Sequence, residues 1–475
     1  MQFLYTSITF ARKRNTGTVL FRITAYGIVF LFLSVSCDSI AVDEPNFQLT
    51  GTSVFDNDAT AEATVLGIYS NMMSGNAMAS GGGQSITLLA GLSADELVNY
   101  SFNTTQGEFY NNALLPSNSW IELYVWNAAY SYIYGANAVL EGLKESPGVT
   151  GAVAERLKGE ARFIRAFCYF YLLNLFGDVP LVMSTDYKAS QGMSRTPAEE
   201  VYEQVVTDLL AARELLPGDY SVYGEERVRP CLWTAKALLA RVYLYREAWP
   251  EAEAEATAVI ENKVQYGLPA DLNSVFLKNS EESIWQLMPV APGINTREGS
   301  HFILTGRPAS VALDSEFPAV FEPGDRRKTD WVEEIAVAGE TFYYPFKYKV
   351  DAGNVLTEYS TVLRLAEQYL VRAEARARQG NIAGAQHDLN TVRNRAGLDN
   401  TTAVTQAALL DAIMHERRTE LFTEWGHRWF DLKRTGRAGS VLGTLKQGWQ
   451  DFDEFYPLPQ KELQNNPNLV QNEGY

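Results

Sequence analysis

The chain has 475 residues, of which 46% are apolar and 20% are charged, as is typical of a folded globular protein. Its 57 acidic side chains outnumber the 40 lysines and arginines, so the formal net charge is -17. Nucleic acids and anionic lipids attract basic surfaces, and this charge balance argues against electrostatic binding to either. Three cysteines are too few for a disulfide framework. Cys168 and Cys231 lie in apolar helical sequence, which favours buried free thiols.

The N-terminus has the features of an export signal. Residues 1–22 carry four basic side chains and no acidic one, and the apolar run at 23–36 is too short to remain as a membrane anchor. Small residues end this run directly before Cys37, in a pattern that resembles a bacterial lipoprotein cleavage site. We predict a lipoprotein signal peptide over 1–36, a lipidated Cys37 and a polar tether over 37–57. The alternative is an ordinary secretory signal with an incidental cysteine.

Apolar residues recur at helical spacing along most of the remaining chain. This pattern predicts a mainly α-helical body over residues 58–475. The predicted helices cover residues 58–73, 119–143, 152–176, 197–216, 231–247, 250–262, 361–379, 382–396 and 405–425.

Two pairs of these helices have similar sequences, and aligning them places Ala240 on Ala373. Alanine at facing positions lets antiparallel helices approach closely, as in tetratricopeptide repeats of about 34 residues. We predict that tetratricopeptide-like helical hairpins at about 152–262 and 361–425 form a scaffold. Such a scaffold could also serve only to hold other proteins, and this alternative remains open.

Two long irregular insertions interrupt the helical pattern. Residues 75–118 are rich in Gly, Asn and Ser, and residues 263–360 contain seven prolines. Two short strands are predicted within the second insertion, at 283–288 and 341–350. Ligand contacts commonly lie on such segments, because a rigid scaffold holds them in place. We therefore predict that the ligand side of the body is built from these insertions.

The sequence lacks the motifs that common enzyme mechanisms require. Neither His-Glu-x-x-His nor Gly-x-Ser-x-Gly occurs, and the glycine run at 81–83 lacks the Lys-Ser/Thr of a phosphate-binding loop. The four histidines are scattered, so we predict no metal site and no cofactor. Two carboxylates could still form a glycosidase pair, and Asp95 and Glu96 lie nearest an aromatic loop. Adjacent helical residues diverge, which favours a charge pair at a helix end.

Residues 415–434 form a run that is dense in charge. Glutamates recur there every four residues with arginines between them, and such spacing supports a helix. Arg417, Arg418 and Arg428 could together bind an anion. A salt-bridged structural cluster is the favoured interpretation.

The C-terminal part of the chain resembles the SusD/RagB family in three segments. They are RNRAGL at 393–398, HERRTELFTEWGHRWFDLKRTG at 415–436 and YPLPQKELQNNPNLVQNEGY at 456–475. Residues 160–182 and 235–245 look like the repeat helices of that family, and the resemblance spans most of the chain after Cys37.

The resemblance implies a mainly α-helical lipoprotein at the outer face of a Gram-negative outer membrane. Such proteins bind a nutrient, usually a glycan, and act as a lid over a TonB-dependent transporter. They are binding proteins rather than enzymes. A peptide-binding member of the family and a glycoside hydrolase are the alternatives. Ligand-contacting residues vary in the family, so none is assigned here by resemblance.

Aromatic residues outside the helical pattern and beside polar neighbours are the candidates for sugar stacking. The segment at 99–112 fits this description, and the second insertion adds a tryptophan and a tyrosine pair, of which one tyrosine is expected in the core. We predict that ligand contacts come from among seven residues: Tyr100, Phe102, Phe109, Tyr110, Trp331, Tyr343 and Tyr344.

Overall fold

The structure is a computed structural model that describes residues 54–75, 77–144 and 146–475. The predicted signal peptide and the predicted lipidation site, Cys37, therefore lie outside the described residues. The described chain is mainly α-helical with a few short strands, which confirms the predicted fold class. None of the helices in these ranges combines the length and the apolar character needed to span a bilayer.

The first half of the described body contains nine α-helices. They are α1 Asp58–Met73, α2 Ile86–Ser93, α3 Thr104–Asn111, α4 Asn127–Gly142, α5 Gly151–Phe176, α6 Tyr187–Ser190, α7 Ala198–Leu215, α8 Leu232–Tyr245 and α9 Trp249–Glu261. A π-helical turn, Ile121–Trp126, leads directly into α4, and a 3-10 turn lies at Ser221–Tyr223.

The second half of the described body adds eight more helices. They are α10 Arg297–Phe302, α11 Arg326–Trp331, α12 Leu365–Arg378, α13 Ile382–Arg395, α14 Gln406–Glu420, α15 His427–Arg434, α16 Ala438–Leu445 and α17 Gln460–Asn465. Short 3-10 turns lie at Leu272–Ser274, Phe317–Ala319 and Asp451–Glu454.

Six short strands in the described ranges form three separate antiparallel pairs. They are β1 Leu97–Asn99 with β3 Val311–Leu313, β2 Ser283–Leu287 with β6 Ser360–Arg364, and β4 Val332–Val337 with β5 Glu340–Pro345. Strand β2 confirms the prediction at 283–288, and β5 covers the first half of the predicted strand at 341–350.

Local sequence signals set several helix starts where they were predicted. The Asn57 side chain accepts a hydrogen bond from the Thr60 backbone N–H at 3.1 Å and caps α1. The Thr405 hydroxyl accepts from the Ala408 N–H at 3.3 Å and caps α14. Each cap satisfies a backbone donor that the first helical turn leaves unpaired.

Three predicted elements were wrong in part. The predicted helix at 361–379 begins as strand β6, since this buried five-residue segment pairs with β2. The predicted helix at 405–425 ends at Glu420, because Thr423, Trp425 and Gly426 have positive φ angles of 50°, 48° and 73°. The first insertion, predicted as irregular, contains α2 and α3, which Ser85 and Asn103 cap at their N-termini.

The predicted helical hairpins pack closely, as their alanines suggested. Ala240 of α8, Ala252 of α9 and Ala375 of α12 are fully buried in one small apolar cluster. Arg241 on α8 forms a buried ion pair with Glu367 on α12, with its Nε 2.6 Å from a carboxylate oxygen. Small side chains thus bring the helices together, and a buried charge pair fixes their relative position.

Candidate ligand-binding cleft

The two insertions meet in space although some 200 residues separate them. Strand β1 pairs with β3, and the Tyr100 N–H extends the pairing by donating to the Ser310 carbonyl at 2.8 Å. Gln106 on α3 donates through Nε2 to the side-chain oxygen of Asn99 at 2.9 Å and to the Ser310 carbonyl at 3.2 Å. These bonds hold the aromatic segment of the first insertion against the second.

Tyr100 lies beside the β4–β5 hairpin. Its half-buried ring meets the buried Phe342 ring edge-on, with centroids 5.5 Å apart and an interplanar angle of 82°. The Arg307 guanidinium lies 5.3 Å from the centre of the same Phe342 ring and forms an exposed ion pair with Glu340 at 3.0 Å. Phe102, two residues beyond Tyr100, is fully exposed. Aromatic and charged side chains are therefore side by side on this surface.

An open cleft of about 510 Å³ lies between the end of α2 and the end of β3. Tyr110 forms one wall, and the Lys446 ammonium lies 4.0 Å from the centre of the Tyr110 ring. The Lys446 ammonium also donates to the carbonyls of Leu92 at 3.1 Å and Tyr110 at 2.7 Å. Burial lowers the pKa of Lys446 to about 8. The polar lining consists of Asp95, Asp314, Ser315, Glu316, Arg418 and Lys446.

Asp95 is the most strongly paired acid of this cleft. Arg428 donates to both of its carboxylate oxygens, at 2.7 and 2.9 Å. A guanidinium nitrogen of Arg418 lies 2.8 Å from one of the same oxygens. Burial opposes ionisation of Asp95, but the two guanidinium groups outweigh it and hold its pKa below the ordinary value. Arg417 pairs instead with Asp431 at 2.7 Å. The three arginines therefore neutralise acids of the protein, which confirms the predicted salt-bridged cluster.

Glu96 has a different environment from its neighbour. Burial and the adjacent Asp95 charge raise the pKa of Glu96 to about 8, and its carboxyl accepts a bond from the Thr423 N–H at 3.3 Å. Glu96 does not line the cleft, whereas Asp95 does. The two carboxyl groups consequently do not flank a common space in the way a glycosidase pair does. Asp95 therefore has the structural ion-pair role, whereas Glu96 is a buried carboxyl group that is mostly protonated at neutral pH.

Three of the seven predicted aromatic residues are buried and therefore inaccessible to a ligand. Trp331 is fully buried and donates its indole N–H to the Leu272 carbonyl at 3.0 Å. Phe109 is also fully buried, against Tyr456, and Tyr344 is 7% exposed. A ring with no open face cannot stack on a sugar, so these three assignments were wrong.

The surroundings of Trp331 explain its burial. Lys347, Arg364 and Arg395 lie 4.9, 5.8 and 5.9 Å from the centre of its rings, so the indole faces buried cations. Sequence reasoning missed this role because those cations are distant along the chain.

Four predicted aromatics keep an accessible surface. They are Tyr100, Phe102, Tyr110 and Tyr343. Tyr343 is half-buried while its neighbours Phe342 and Tyr344 are buried, since successive side chains of a strand point to opposite faces. As expected, one tyrosine of the pair belongs to the core.

Among the polar residues of the cleft, Asp314, Glu316 and Lys446 were not predicted. Asp314 and Glu316 come just after the end of β3. Acidic residues at the end of a strand within an insertion are a local sequence pattern that could have indicated a ligand site. Lys446 offered no such signal, because its contacts with Tyr110 depend on a chain separation of more than 300 residues.

Comparison with known protein families identifies the chain. Residues 334–475 match the model of the SusD family, and residues 69–244 match a SusD-like model described as starch-binding and associating with the outer membrane. The chain belongs to the SusD/RagB family. The two matches include Tyr100, Tyr110 and Lys446, whereas Asp314 and Glu316 lie between them and are matched by neither.

Relatives within the SusD/RagB family agree over most of the chain. SusD-like protein P2 of Formosa agariphila is 28% identical, over 94% of this chain and 98% of that protein. A SusD superfamily protein from Bacteroides vulgatus has the same fold, with a TM-score of 0.79 and 21% identity over 88% of this chain and 99% of its own. A laminarin-binding SusD-like protein superposes with a TM-score of 0.71 and 25% identity, over 88% of this chain and all of its own.

Proposed function

We propose that this SusD/RagB protein captures a glycan in the cleft beside Tyr110 and delivers it to a TonB-dependent transporter. The observation that carries the proposal is the open cleft itself, where a held tyrosine ring lies beside acidic groups. The carboxylates of Asp314 and Glu316 line the cleft, and neither forms a salt bridge within the described ranges. The names of relatives that bind starch and laminarin support the same class of ligand.

The chemistry of the cleft suits a sugar ring. One face of a pyranose carries C–H groups that pack on an aromatic ring, and its hydroxyl groups donate to carboxylates. Tyr110 supplies the ring, and Asp314 and Glu316 supply acceptors. Tyr100 and Phe102 extend the aromatic surface along the same insertion, which suits a chain of several sugars.

We also propose how the protein reaches its place of action. Residues 1–36 direct export and are removed, Cys37 carries the lipid, and residues 37–57 connect the lipid to the body at 58–475. The family description, which associates such proteins with the outer membrane, supports this layout. Exposure at the cell surface then places the cleft where external glycans arrive.

Binding without turnover is the expected activity. Isothermal titration of starch-derived and laminarin-derived oligosaccharides against the wild-type protein should identify a ligand. Tyr110→Ala and Phe102→Ala should each weaken binding by about 1–3 kcal/mol, the usual range for loss of an aromatic contact. Tyr134→Ala is the matched control, because Tyr134 is 57% exposed on α4 and does not line the cleft.

Two outcomes would count against this function. Unchanged affinity in both folded variants would remove the cleft and the aromatic surface beside it as the binding site. Release of shortened sugars from a bound oligosaccharide would instead favour the glycoside hydrolase alternative, and chromatography of the titrated mixture tests for it.

A further inference from the structure

A second cavity, of about 410 Å³, lies apart from the cleft. It is enclosed by the end of α5, the start of α7, helix α15 and the C-terminal segment. Asn174, Lys433 and Asn472 line it, and they come from the segments at 160–182, 415–436 and 456–475 that carry the family resemblance. These three segments thus together form part of the wall of a cavity.

Lys433 is a half-buried cation at this space with few hydrogen-bond partners. Its ammonium donates to the Asn174 carbonyl, the one acceptor that it reaches in the described ranges, and lies 4.5 Å from the centre of the Phe455 ring. By contrast, the Lys347 ammonium donates to two carbonyls and to Glu424, and Lys446 donates to two carbonyls. An ammonium has three N–H donors, so Lys433 keeps two for a ligand.

Two tyrosines supply aromatic faces to the cavity wall. Tyr202 donates its hydroxyl to the side-chain oxygen of Asn174 at 3.1 Å, so its ring is fixed. The ring of Tyr245 also lines the cavity, and its hydroxyl forms no hydrogen bond with any residue of the described chain. This hydroxyl is therefore available to a ligand.

Two arginines border the same space, but most of their N–H donors already bond with other groups of the protein. Arg434 lies 5.3 Å from the centre of the Tyr245 ring, and Glu374 and Asp431 neutralise it. Arg195 donates to three backbone carbonyls and to one side-chain amide oxygen. Arg195 keeps its charge, but its acceptors already use most of its N–H donors, so Lys433 is the cation with the most donors left for an anion.

We propose that this cavity binds an acidic monosaccharide, a hexuronate, whose carboxylate pairs with the Lys433 ammonium. The aromatic wall packs on the C–H face of the sugar, and the Tyr245 hydroxyl and the half-buried Glu454 carboxylate bond with its hydroxyl groups. A volume of about 410 Å³ lies within the range of ligand pockets. The site is independent of the Tyr110 cleft and of the proposal made for it.

Proton uptake gives this pairing a distinctive signature. Burial lowers the pKa of Lys433 to about 7, so most of the empty cavities hold a neutral amine at pH 8. A bound carboxylate favours the charged form, and binding at pH 8 should therefore take up close to one proton. The other titratable groups that border the cavity are Asp178, Arg195, Tyr202, Tyr245, Arg434 and Glu454.

The test is calorimetric titration of the intact protein with glucuronate at pH 8, in two buffers of different ionisation enthalpy. Wild-type protein should bind with an uptake near one proton. Lys433→Met should weaken binding at least tenfold, and Lys433→Arg should keep binding without proton uptake, because arginine stays charged. Lys461→Met, at an exposed lysine outside the cavity, should change neither quantity.

Three further measurements distinguish uronate binding in this cavity from binding of neutral sugars and from binding in the cleft. Glucose should bind at least tenfold more weakly than glucuronate. Tyr110→Ala should leave glucuronate affinity unchanged, because Tyr110 lines the cleft and not this cavity. Tyr245→Phe keeps the ring and should weaken binding roughly two- to tenfold through loss of one hydrogen bond. Circular dichroism checks the fold of each variant.

Several results would overturn the proposal. Absence of glucuronate binding to the wild-type protein is one, and equal affinity of wild type and folded Lys433→Met is another. Binding of inorganic phosphate without binding of glucuronate would overturn the sugar assignment. Loss of glucuronate binding in Tyr110→Ala would place the ligand in the cleft instead.

Discussion

Glu420 is a buried carboxylate at the end of α14 that three guanidinium groups share. Arg364 donates to one of its oxygens at 2.6 Å, Arg327 to the other at 2.9 Å, and Arg395 also pairs with it. Burial opposes ionisation of Glu420, but these three cations outweigh it and hold its pKa well below the ordinary value. The partners come from α11, β6 and α13, so this residue ties together the second insertion and the second repeat pair.

We expect Glu420→Gln to be among the most damaging single substitutions in the body. It leaves three buried cations around a neutral amide, and loss of one partner from a buried ionic network costs about 3–5 kcal/mol. Urea unfolding followed by circular dichroism measures the change. Glu199→Gln is the control, since its ion pair with Arg246 is exposed and should matter by less than about 1 kcal/mol. A similar loss in both variants would contradict this reasoning.

Glu420 also predicts how stability changes in acid. Its pKa is lower in the folded state than in the unfolded chain, so its contribution is fully present above the ordinary glutamate value of 4.5. The contribution is lost as the pH falls below that value towards the folded pKa. Wild-type protein should therefore lose more stability than Glu420→Gln between pH 5 and pH 3, and unfolding curves at both pH values test this.

Glu96 should show the opposite pH dependence. Its carboxyl ionises near pH 4.5 in the unfolded chain and at about 8 in the folded protein, where burial and Asp95 disfavour the charge. Between these values the folded state binds more protons, so stability falls as the pH rises. Glu96→Gln should lose less stability than wild type from pH 5 to pH 8, by on the order of 3 kcal/mol. Parallel pH profiles of the two proteins would exclude this assignment.

At the scale of elements, the β4–β5 hairpin is defined by its turn. Ala338 and Gly339 have φ angles of 54° and 84°, the type I′ pattern that matches the twist of two-residue hairpins. Alanine is disfavoured in this left-handed conformation, whereas asparagine tolerates it. The sequence thus leaves a small strain at the tip of the hairpin that carries Tyr343.

We expect Ala338→Asn to stabilise the protein by about 0.5–1 kcal/mol, because it relieves this strain. Ala336→Asn is a matched control in the same hairpin, since Ala336 is exposed within strand β4. It should give no gain, because asparagine is disfavoured in strands. Equal gains from both substitutions in urea unfolding would show that the turn conformation is not the cause.

Periodicity revealed the long helices of this chain but not its short elements. Helix α5 was predicted within one residue because its apolar positions repeat over 26 residues. Strand β6 was hidden within a helix prediction, because a fully buried five-residue strand has no alternation to distinguish it from helical sequence. Helices α2 and α3 have eight residues each, too few for a clear helical period. All residues of α2 are buried, which stabilises it by tertiary packing, whereas α3 buries Gln106 and Phe109.

The cleft shows the same division between local and distant information. Tyr100 and Tyr110 could be selected because their polar neighbours lie in the same short segment. Trp331 had similar neighbours, and its partners Lys347, Arg364 and Arg395 became evident only in three dimensions. The insertion that carries the cleft could therefore be predicted from local sequence, whereas the accessibility of each ring depends on the folded structure.

At the scale of the whole molecule, the proposed lipid anchor makes a direct prediction. Cys37→Ala removes the acylated thiol, and the net charge of -17 gives the body no electrostatic attraction to anionic lipid. We expect the variant to leave the membrane fraction, while wild-type protein stays there because two or more acyl chains anchor stably. Cell fractionation with immunoblotting measures this, and Cys231→Ala controls for loss of a cysteine. Full retention of Cys37→Ala in the membrane would refute the anchor.

The proposed transporter is expected to contact the helical hairpins of the body. A lid needs a broad contact surface, and the helical hairpins at 231–262 and 361–396 provide one. Glu251 and Glu261 are exposed on α9, and reversing both charges should weaken a contact formed there. We expect affinity capture from mildly solubilised membranes to recover a TonB-dependent transporter with wild-type protein and clearly less with Glu251→Lys/Glu261→Lys.

The matched control for this capture is Glu333→Lys/Glu334→Lys, which reverses two exposed charges on strand β4 of the ligand-side insertion. It changes the net charge equally, so it should recover as much transporter as wild type if the hairpin helices form the contact. A loss confined to the β4 variant would place the contact on the insertion side. Recovery of the bait alone in several detergents would argue against a transporter partner, and glycan delivery would then need another route.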